Sequence, residues 1–192
     1  MQAFRRFFKQ LCSNWGGKCL EIGACYGYNL ADLCQKYHME CYGIEPSEKA
    51  VKYGNEIYDK LNVHLQVGTS DYIPFEDLSF DYVLIGFSWF WVERKMLMKS
   101  LAEADRVLKE GGFLVIWDFD TKLPYMRANV HNDNVPTFKM DVASLLNHNP
   151  QYVLAEKRSF THAGVGFDQD IQERCACNIF YKEKIESAYI KG

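Results

Sequence analysis

The sequence lacks paired cysteines, long apolar runs and an excess of either charge. Its seven cysteines are an odd number with no Cys-x-x-Cys pair and no histidine at ligand spacing, so they predict free thiols in a reducing cytoplasm and no metal site. The stretch FRRFFKQ is too short and too charged for a signal peptide or a spanning helix. The formal net charge of −3 gives no reason to expect a nucleic-acid or membrane partner.

Short apolar runs alternate with amphipathic segments through the first two thirds of the chain. The runs are typical of strands covered on both faces, and their alternation with helices predicts a doubly wound, mostly parallel α/β sheet. One amphipathic segment carries its apolar residues at helical spacing: Leu97, Leu101, Ala104 and Leu108. We expect that helix to end at a left-handed glycine, Gly111 or Gly112.

The C-terminal part of the chain has a different pattern. The runs YVLAEKRSFTH and CACNIFYKE are separated by a segment too short and too polar for a crossover helix, so we expect an antiparallel hairpin at one edge of the sheet. Cys175 and Cys177 share one face of the second run and are expected to pack. Residues 121–150 lack clear periodicity, which predicts a long loop with a short helix, and such loops often carry function.

The stretch CLEIGACYGYNL places two glycines at the end of the first predicted strand. Glycine has no Cβ atom, so Gly23 and Gly27 predict a tight strand-to-helix turn that can hold a cofactor. A dinucleotide-binding turn would need glycines at positions 23, 25 and 28, and Cys25 and Tyr28 occupy the last two. A nicotinamide-dependent oxidoreductase is therefore an alternative that two of the three positions argue against.

An acidic residue, Glu45, stands at the predicted tip of the second strand. Pro46 favours an extended conformation for the residue before it, which keeps Glu45 at the strand end, and Ser47 is placed to cap the next helix. A carboxylate there can accept hydrogen bonds from both hydroxyls of a ribose. The alternative is a solvated acid at a strand end.

The pattern Glu21-x-Gly23-x-x-x-Gly27 resembles the first motif of class I S-adenosylmethionine-dependent methyltransferases, with Cys25 in place of the usual middle glycine. The resemblance continues in order through GTSDYIPF, FDYVLIGFSWFWV and LAEADRVLKEGGFLVIWDFD, although Thr69 stands where an acid is usual. It implies a Rossmann-like sheet of seven strands and S-adenosylmethionine as the cofactor. The cofactor-binding residues that it implies are Glu21, Gly23, Ala24, Cys25, Tyr26, Gly27, Glu45, Pro46, Ser70, Asp71, Gly86 and Phe87.

The resemblance also suggests how the chain is divided. We predict one domain over residues 1–192, with an N-terminal helix in residues 1–17, a cofactor-binding core in residues 18–120, and an acceptor loop and terminal hairpin in residues 121–192. The aromatic residues Trp89, Phe90 and Trp91 follow the fourth strand, where they could line the pocket or belong to the core.

The sequence indicates the methyl acceptor less clearly than the cofactor. Transfer is an in-line displacement that depends on position and exclusion of water, and it needs a base only where the acceptor must lose a proton. The candidate catalytic residues are His131, His162 and Asp118. We expect methylation of an oxygen on a small polar metabolite or a surface-glycan precursor, the latter because FTHAG and the tail resemble methyltransferases encoded with polysaccharide genes. A non-catalytic module that only binds the cofactor is the other alternative.

Overall fold

A computed structural model of the chain describes residues 16–129, 132–161 and 164–189. It contains a mixed sheet of eight strands and a separate sheet of two. In chain order the strands are β1 (Lys18–Ile22), β2 (Glu40–Glu45), β3 (Val63–Val67), β4 (Phe80–Gly86), β5 (Leu108–Phe119), β6 (Tyr125–Asn129), β7 (Asn132–Lys139), β8 (Tyr152–Thr161), β9 (Gly164–Val165) and β10 (Cys175–Lys182).

The structure has α-helices between parallel strands and one after β10. They are α1 (Tyr28–Tyr37), α2 (Glu48–Ile57), α3 (Leu97–Val107) and α4 (Ile185–Ala188), with 3₁₀ helices at Trp89–Trp91, Arg94–Met96 and Ala143–His148. No helix in the described ranges is long and apolar enough to span a membrane. The N-terminal helix predicted within residues 1–17 falls mainly on residues 1–15, outside the described residues.

The large sheet has the strand order β3-β2-β1-β4-β5-β10-β8-β9. Strands β1 to β5 pair in parallel, and β10 pairs antiparallel with both β5 and β8. The predicted doubly wound sheet is confirmed: it has seven strands of at least five residues, and β9 adds a two-residue strand at the edge. The strand order turns at β1, with β2 and β3 on one side of it and β4 and β5 on the other, so a cleft is expected beyond the carboxyl ends of β1 and β4.

Two layers of apolar side chains cover the sheet. One joins Leu20 and Ile22 of β1 to Leu101 of α3, and the other joins Cys19 of β1 to Leu30 of α1. Because successive residues of a strand point to opposite faces, this division shows that helices pack on both sides of the sheet. Each layer therefore anchors strand ends that meet at the cleft.

Local signals explain most of the predicted elements. Ser47 is the N-cap of α2, and its hydroxyl oxygen accepts a hydrogen bond from the Ala50 amide at 3.3 Å, as predicted. The antiparallel pairing of β8 with β10 is also confirmed, and Cys175 and Cys177 are both buried. β10 is not an edge strand, however, because it lies between β5 and β8.

The glycine C-cap predicted for α3 is wrong. The helix ends at Val107, and its C-cap is Leu108, which has φ −80° and ψ 127°. Leu108 is fully buried and pairs with Phe80 as the first residue of β5. Burying this leucine in the sheet ends the helix before Gly111, which has φ +81° within the strand.

The long loop predicted in residues 121–150 is wrong for a large part of that segment. Strands β6 and β7 form an antiparallel hairpin there, and the predicted short helix is the 3₁₀ helix Ala143–His148. The hairpin has no regular apolar alternation, and β7 includes Pro136, which disfavours a strand assignment. Contacts between β7 and the 3₁₀ helix Trp89–Trp91 hold it in place, and local sequence does not encode those contacts.

Candidate active site

A cavity of about 580 Å³ lies where β1, β2, β3 and β4 end. Two groups of residues line it. The loop wall, from the segments after β1, β2 and β3, includes Gly23, Cys25, Glu45, Pro46, Ser70 and Asp71. The aromatic wall, from the segment after β4, includes Phe87, Ser88, Trp89, Trp91, Glu93 and Met96.

The turn after β1 packs against the end of β2 and against the aromatic wall. The amides of Gly23 and Ala24 donate to the carbonyl oxygen of Ile44 at 2.9 and 3.0 Å, which ties the turn to β2. A Cβ atom on Gly23 would lie 2.4 Å from the Cβ of Ser88, and Gly23 has φ +76°, so this position requires glycine. Cys25, which is exposed, has φ +51° in the same left-handed region. The cysteine therefore keeps a backbone conformation that glycine adopts more easily.

Glu45 joins the turn to the start of α2. Its Oε2 accepts a hydrogen bond from the Cys25 amide at 2.9 Å, and its Oε1 accepts one from the Ser47 amide at 3.0 Å. A carboxylate oxygen has two lone pairs, so each oxygen can accept one further hydrogen bond. The strand tip thus presents to the cavity a carboxylate that is oriented by two backbone amides.

Glu21 lies beneath the turn and does not line the cavity. It is 1% exposed, and its Oε1 accepts a hydrogen bond from Asn29 Nδ2 at 2.7 Å. Its Oε2 has no hydrogen-bond partner within the described residues. The pKa of Glu21 is raised to about 8: burial raises it most, the Asn29 hydrogen bond lowers it, and the charge of Glu45 adds to the increase.

The other predicted cofactor-binding residues are divided between the cavity and its surroundings. Ser70 lines the cavity and shares a hydrogen bond of 2.8 Å with the Ser100 hydroxyl. Pro46, Asp71 and Phe87 also line it. The remaining four lie around it: Ala24 in the core, Tyr26 on the surface, Gly27 at the N-cap of α1, and Gly86 beneath the Trp117 ring.

The aromatic wall is both core and pocket. Trp89 is fully buried within the core layer that contains α3, and it also lines the cavity. Trp91 lines the cavity and is 41% exposed. Phe90 packs against Trp91, with ring centroids 4.8 Å apart. Both alternatives considered from the sequence, core and pocket lining, therefore apply. Trp89 does both, and Trp91 lines the cavity from an exposed position.

Arg94 anchors this helix, and sequence reasoning missed it. Its Nη2 donates to the carbonyl oxygen of Trp89 at 2.6 Å, and its Nε donates to that of Val92 at 3.1 Å. The guanidinium also lies 4.8 Å from the ring centroid of Phe138 in β7. Val92 and Trp89 are only two and five residues away, but the contact with Phe138 depends on tertiary structure, and a single arginine gives no sequence signal for it.

The candidate catalytic residues do not meet in the described cavity. Asp118 is buried and does not line the cavity, and its Oδ1 accepts a hydrogen bond from the Phe119 amide at 2.7 Å. Burial raises the pKa of Asp118 to about 7, opposed by the amides of Phe119, Phe90 and Trp89 and by the charge of Arg94. Asp118 therefore lies beside Trp89 and Phe90 and not on the surface of the cavity. His131 and His162 lie outside the described residues.

Metal coordination finds no support in the described ranges. No cluster of three or more histidine, cysteine, aspartate or glutamate side chains there could hold a metal ion. The chemical groups facing the cavity are instead carboxylates, hydroxyls, one thiol and aromatic rings.

Comparison with known proteins relates about half of the chain to a family. Residues 20–116 match a family model described as a methyltransferase domain. A demethylmenaquinone methyltransferase of Staphylococcus haemolyticus is 40% identical over 90 residues, which is 46% of this chain and 36% of the relative. Its Staphylococcus aureus counterpart is 43% identical over 77 residues, which is 40% of this chain and 31% of the relative. The chain thus spans about a third of the length of these curated relatives.

Solved structures share the fold at low sequence identity. A S-adenosylmethionine-dependent methyltransferase of Methanosarcina mazei has a TM-score of 0.74 and 16% identity, over 92% of this chain and 97% of that one. Geranyl diphosphate C-methyltransferase of Streptomyces coelicolor, solved with Mg²⁺, geranyl diphosphate and S-adenosyl-L-homocysteine, has a TM-score of 0.73 and 15% identity, over 94% and 80% of the chains.

Proposed function

The chain belongs to the methyltransferase domain family, and on that premise we propose that it is a S-adenosylmethionine-dependent methyltransferase that acts on a small molecule. The observation that carries the proposal is the position of Glu45 at the tip of β2, where its carboxylate faces the cavity and is held by the turn after β1. A carboxylate in this position suits the two hydroxyls of a ribose.

The residues of the loop wall fit the cofactor chemically. Glu45 can hold the ribose, while Ser70 and Asp71 offer a hydroxyl and a carboxylate to the adenine end. The turn at Gly23 offers backbone rather than side chain, which suits the methionine end, and it carries no phosphate-binding glycine series. We therefore propose that the loop wall binds the cofactor.

The aromatic wall can hold the methyl acceptor in position and exclude water from the reaction. When bound, S-adenosylmethionine would supply a methyl carbon attached to a sulfonium sulfur. An electron pair of the acceptor would form the new bond to that carbon while the carbon–sulfur bond breaks and leaves its electron pair on sulfur. Trp89 and Trp91 can exclude water from that reaction. Glu93 also lines the cavity, and its carboxylate can take the proton that a hydroxyl acceptor loses.

The finer parts of the proposal concern the acceptor and the location. We propose oxygen as the acceptor atom, supported by Glu93 in the aromatic wall. A small polar metabolite or a surface-glycan precursor stays a prediction from the sequence. The acceptor of the staphylococcal relatives is not carried over, because only about a third of their length is matched. The free state of the six described cysteines supports a cytoplasmic location.

Thermal unfolding with different ligands tests the proposal. S-adenosylhomocysteine at about 100 times its Kd should stabilise the protein by about 2.7 kcal/mol, a shift of about 5 to 10 °C in Tm. NAD should leave the Tm unchanged. A shift with NAD and none with S-adenosylhomocysteine would support the oxidoreductase instead. Binding of S-adenosylhomocysteine without methylation of any acceptor would favour the non-catalytic module.

A further inference from the structure

The aromatic wall continues into a cluster of rings at the ends of β4, β5 and β8. Phe87 belongs to both, because it lines the cavity while its ring lies 5.7 Å from that of Phe119 and 5.8 Å from that of Phe160. Phe90 lies 5.3 Å from Phe119 and also packs on Trp91. Most of these pairs are edge-to-face, the arrangement that aromatic rings prefer. A further ring entering beside Phe87 and Trp91 would meet the same kind of surface.

The backbone turns Phe87 towards this position. Phe87 has φ +47°, a left-handed conformation that is unfavourable for a bulky residue. Its amide donates to the carbonyl oxygen of Trp117 at 2.9 Å, which holds the residue at the end of the sheet. Strained residues of this kind cluster at ligand sites, where the surrounding structure maintains them.

The aromatic wall has few free polar groups, and one of them is the buried indole Nε1 of Trp89, which has no hydrogen-bond partner among the described residues. The Ser88 hydroxyl already donates to the carbonyl oxygen of Ile22 at 2.9 Å. Glu93 forms an ion pair with Lys95 at 2.7 Å, and it lies at the exposed end of the wall. A sugar ring enclosed here would leave several hydroxyls without partners, which is costly, whereas a planar aromatic ring would not.

We propose that the aromatic wall binds an aromatic ring of the acceptor and that Phe87 and Trp91 determine this specificity. The inference rests on the proposed function, since it takes the loop wall as the cofactor site. It narrows the acceptor from any small molecule to a hydroxylated aromatic compound, whose ring contacts the wall and whose oxygen receives the methyl group.

Binding of matched ring compounds tests the proposal. Phenol, cyclohexanol and methyl glucoside are titrated into the protein saturated with S-adenosylhomocysteine, and Kd values are measured by ligand-observed NMR. Phenol and cyclohexanol each carry one hydroxyl on a six-membered ring, so their comparison isolates aromaticity. Phenol should bind about threefold to tenfold more tightly than cyclohexanol, as aromatic pairing energies predict, and more tightly than methyl glucoside.

Substitutions test which side chains cause the preference for an aromatic ring. Phe87→Leu and Trp91→Leu keep the wall apolar but remove a ring, and each should reduce the preference for phenol over cyclohexanol to below about twofold. Tyr189→Leu is the control, because Tyr189 is an exposed aromatic residue outside the cavity, and it should keep the wild-type preference. Trp91 is 41% exposed, so its substitution tests the proposal even if Phe87→Leu does not fold.

Two kinds of failure can be told apart. Equal binding of phenol and cyclohexanol, a preference for methyl glucoside, or no binding of phenol would overturn the aromatic acceptor. So would an unchanged preference in both leucine variants. If S-adenosylhomocysteine still binds in those experiments, the proposed function survives. Failure of S-adenosylhomocysteine to bind the wild-type protein would instead remove the proposed function itself.

Discussion

At the scale of single residues, Glu45 has the widest role in the proposed site. Glu45→Ala removes the acceptor of the Cys25 and Ser47 amides and any bond to a ribose. We expect it to weaken S-adenosylhomocysteine binding by about 1.5 to 3 kcal/mol, measured by titration calorimetry. Glu48→Ala is the control, because Glu48 is exposed in the first turn of α2 and should leave affinity unchanged. An unaltered affinity in Glu45→Ala would take this carboxylate out of the site.

Glu21 makes stability depend on pH. Its pKa of about 8 lies above the ordinary 4.5, so between these values the folded protein binds more protons than the unfolded chain. The free energy of unfolding must therefore fall as pH rises through this window. Glu21→Gln keeps the hydrogen bond with Asn29 without a charge, and its stability relative to wild type should increase from pH 5 to pH 8, by at most about 1.4 kcal/mol per pH unit.

Urea unfolding across that pH range measures the Glu21 effect. The raised pKa of Asp118 acts in the same direction, but it is present in both proteins and cancels in the comparison. Glu48→Gln is the matched control, because it makes the same change of carboxylate to amide at an exposed position. A Glu21→Gln difference that does not change with pH would mean that Glu21 ionises normally in the folded state.

At the scale of elements, the 3₁₀ helix Trp89–Trp91 depends on Arg94. Arg94→Gln loses the hydrogen bonds to Trp89 and Val92 and the contact with Phe138. We expect the free energy of unfolding to fall by about 1 to 3 kcal/mol, measured by urea unfolding. Lys95→Gln is the neighbouring control: it breaks an exposed ion pair with Glu93 and should change stability by less than about 1 kcal/mol. Equal effects of the two substitutions would contradict the anchoring role.

The elements differ in how well the sequence predicted them. Strands β1 to β4 and helix α2 follow from apolar runs, Pro46 and the Ser47 cap, which all act within a few residues. The end of α3 could not be predicted in this way, because Leu108 leaves the helix to pair with Phe80. The β6–β7 hairpin was missed for a related reason, since its position depends on packing against a segment more than thirty residues earlier.

At the scale of the whole molecule, we expect the single domain predicted from the sequence to unfold in one transition. Both core layers share the strands of one sheet, and β10 lies between β5 and β8, so the terminal hairpin cannot separate without disrupting the centre. Calorimetry should give equal calorimetric and van't Hoff enthalpies. S-adenosylhomocysteine should move the whole transition upward. A separate early transition, unaffected by that ligand, would show an independent C-terminal unit.

The sequence by itself determined the order of β1 to β5 and of the helices between them, the turn at Gly23 and the place of Glu45, because periodicity, glycine and proline act on the local backbone. Tertiary structure alone decided that Phe87 joins the cavity to a ring cluster, that Arg94 lies on the Phe138 ring, and that Asp118 is buried away from the cavity. These properties depend on which distant segments meet. Burial and hydrogen-bond partners are therefore set by the packed chain and not by any short stretch of it.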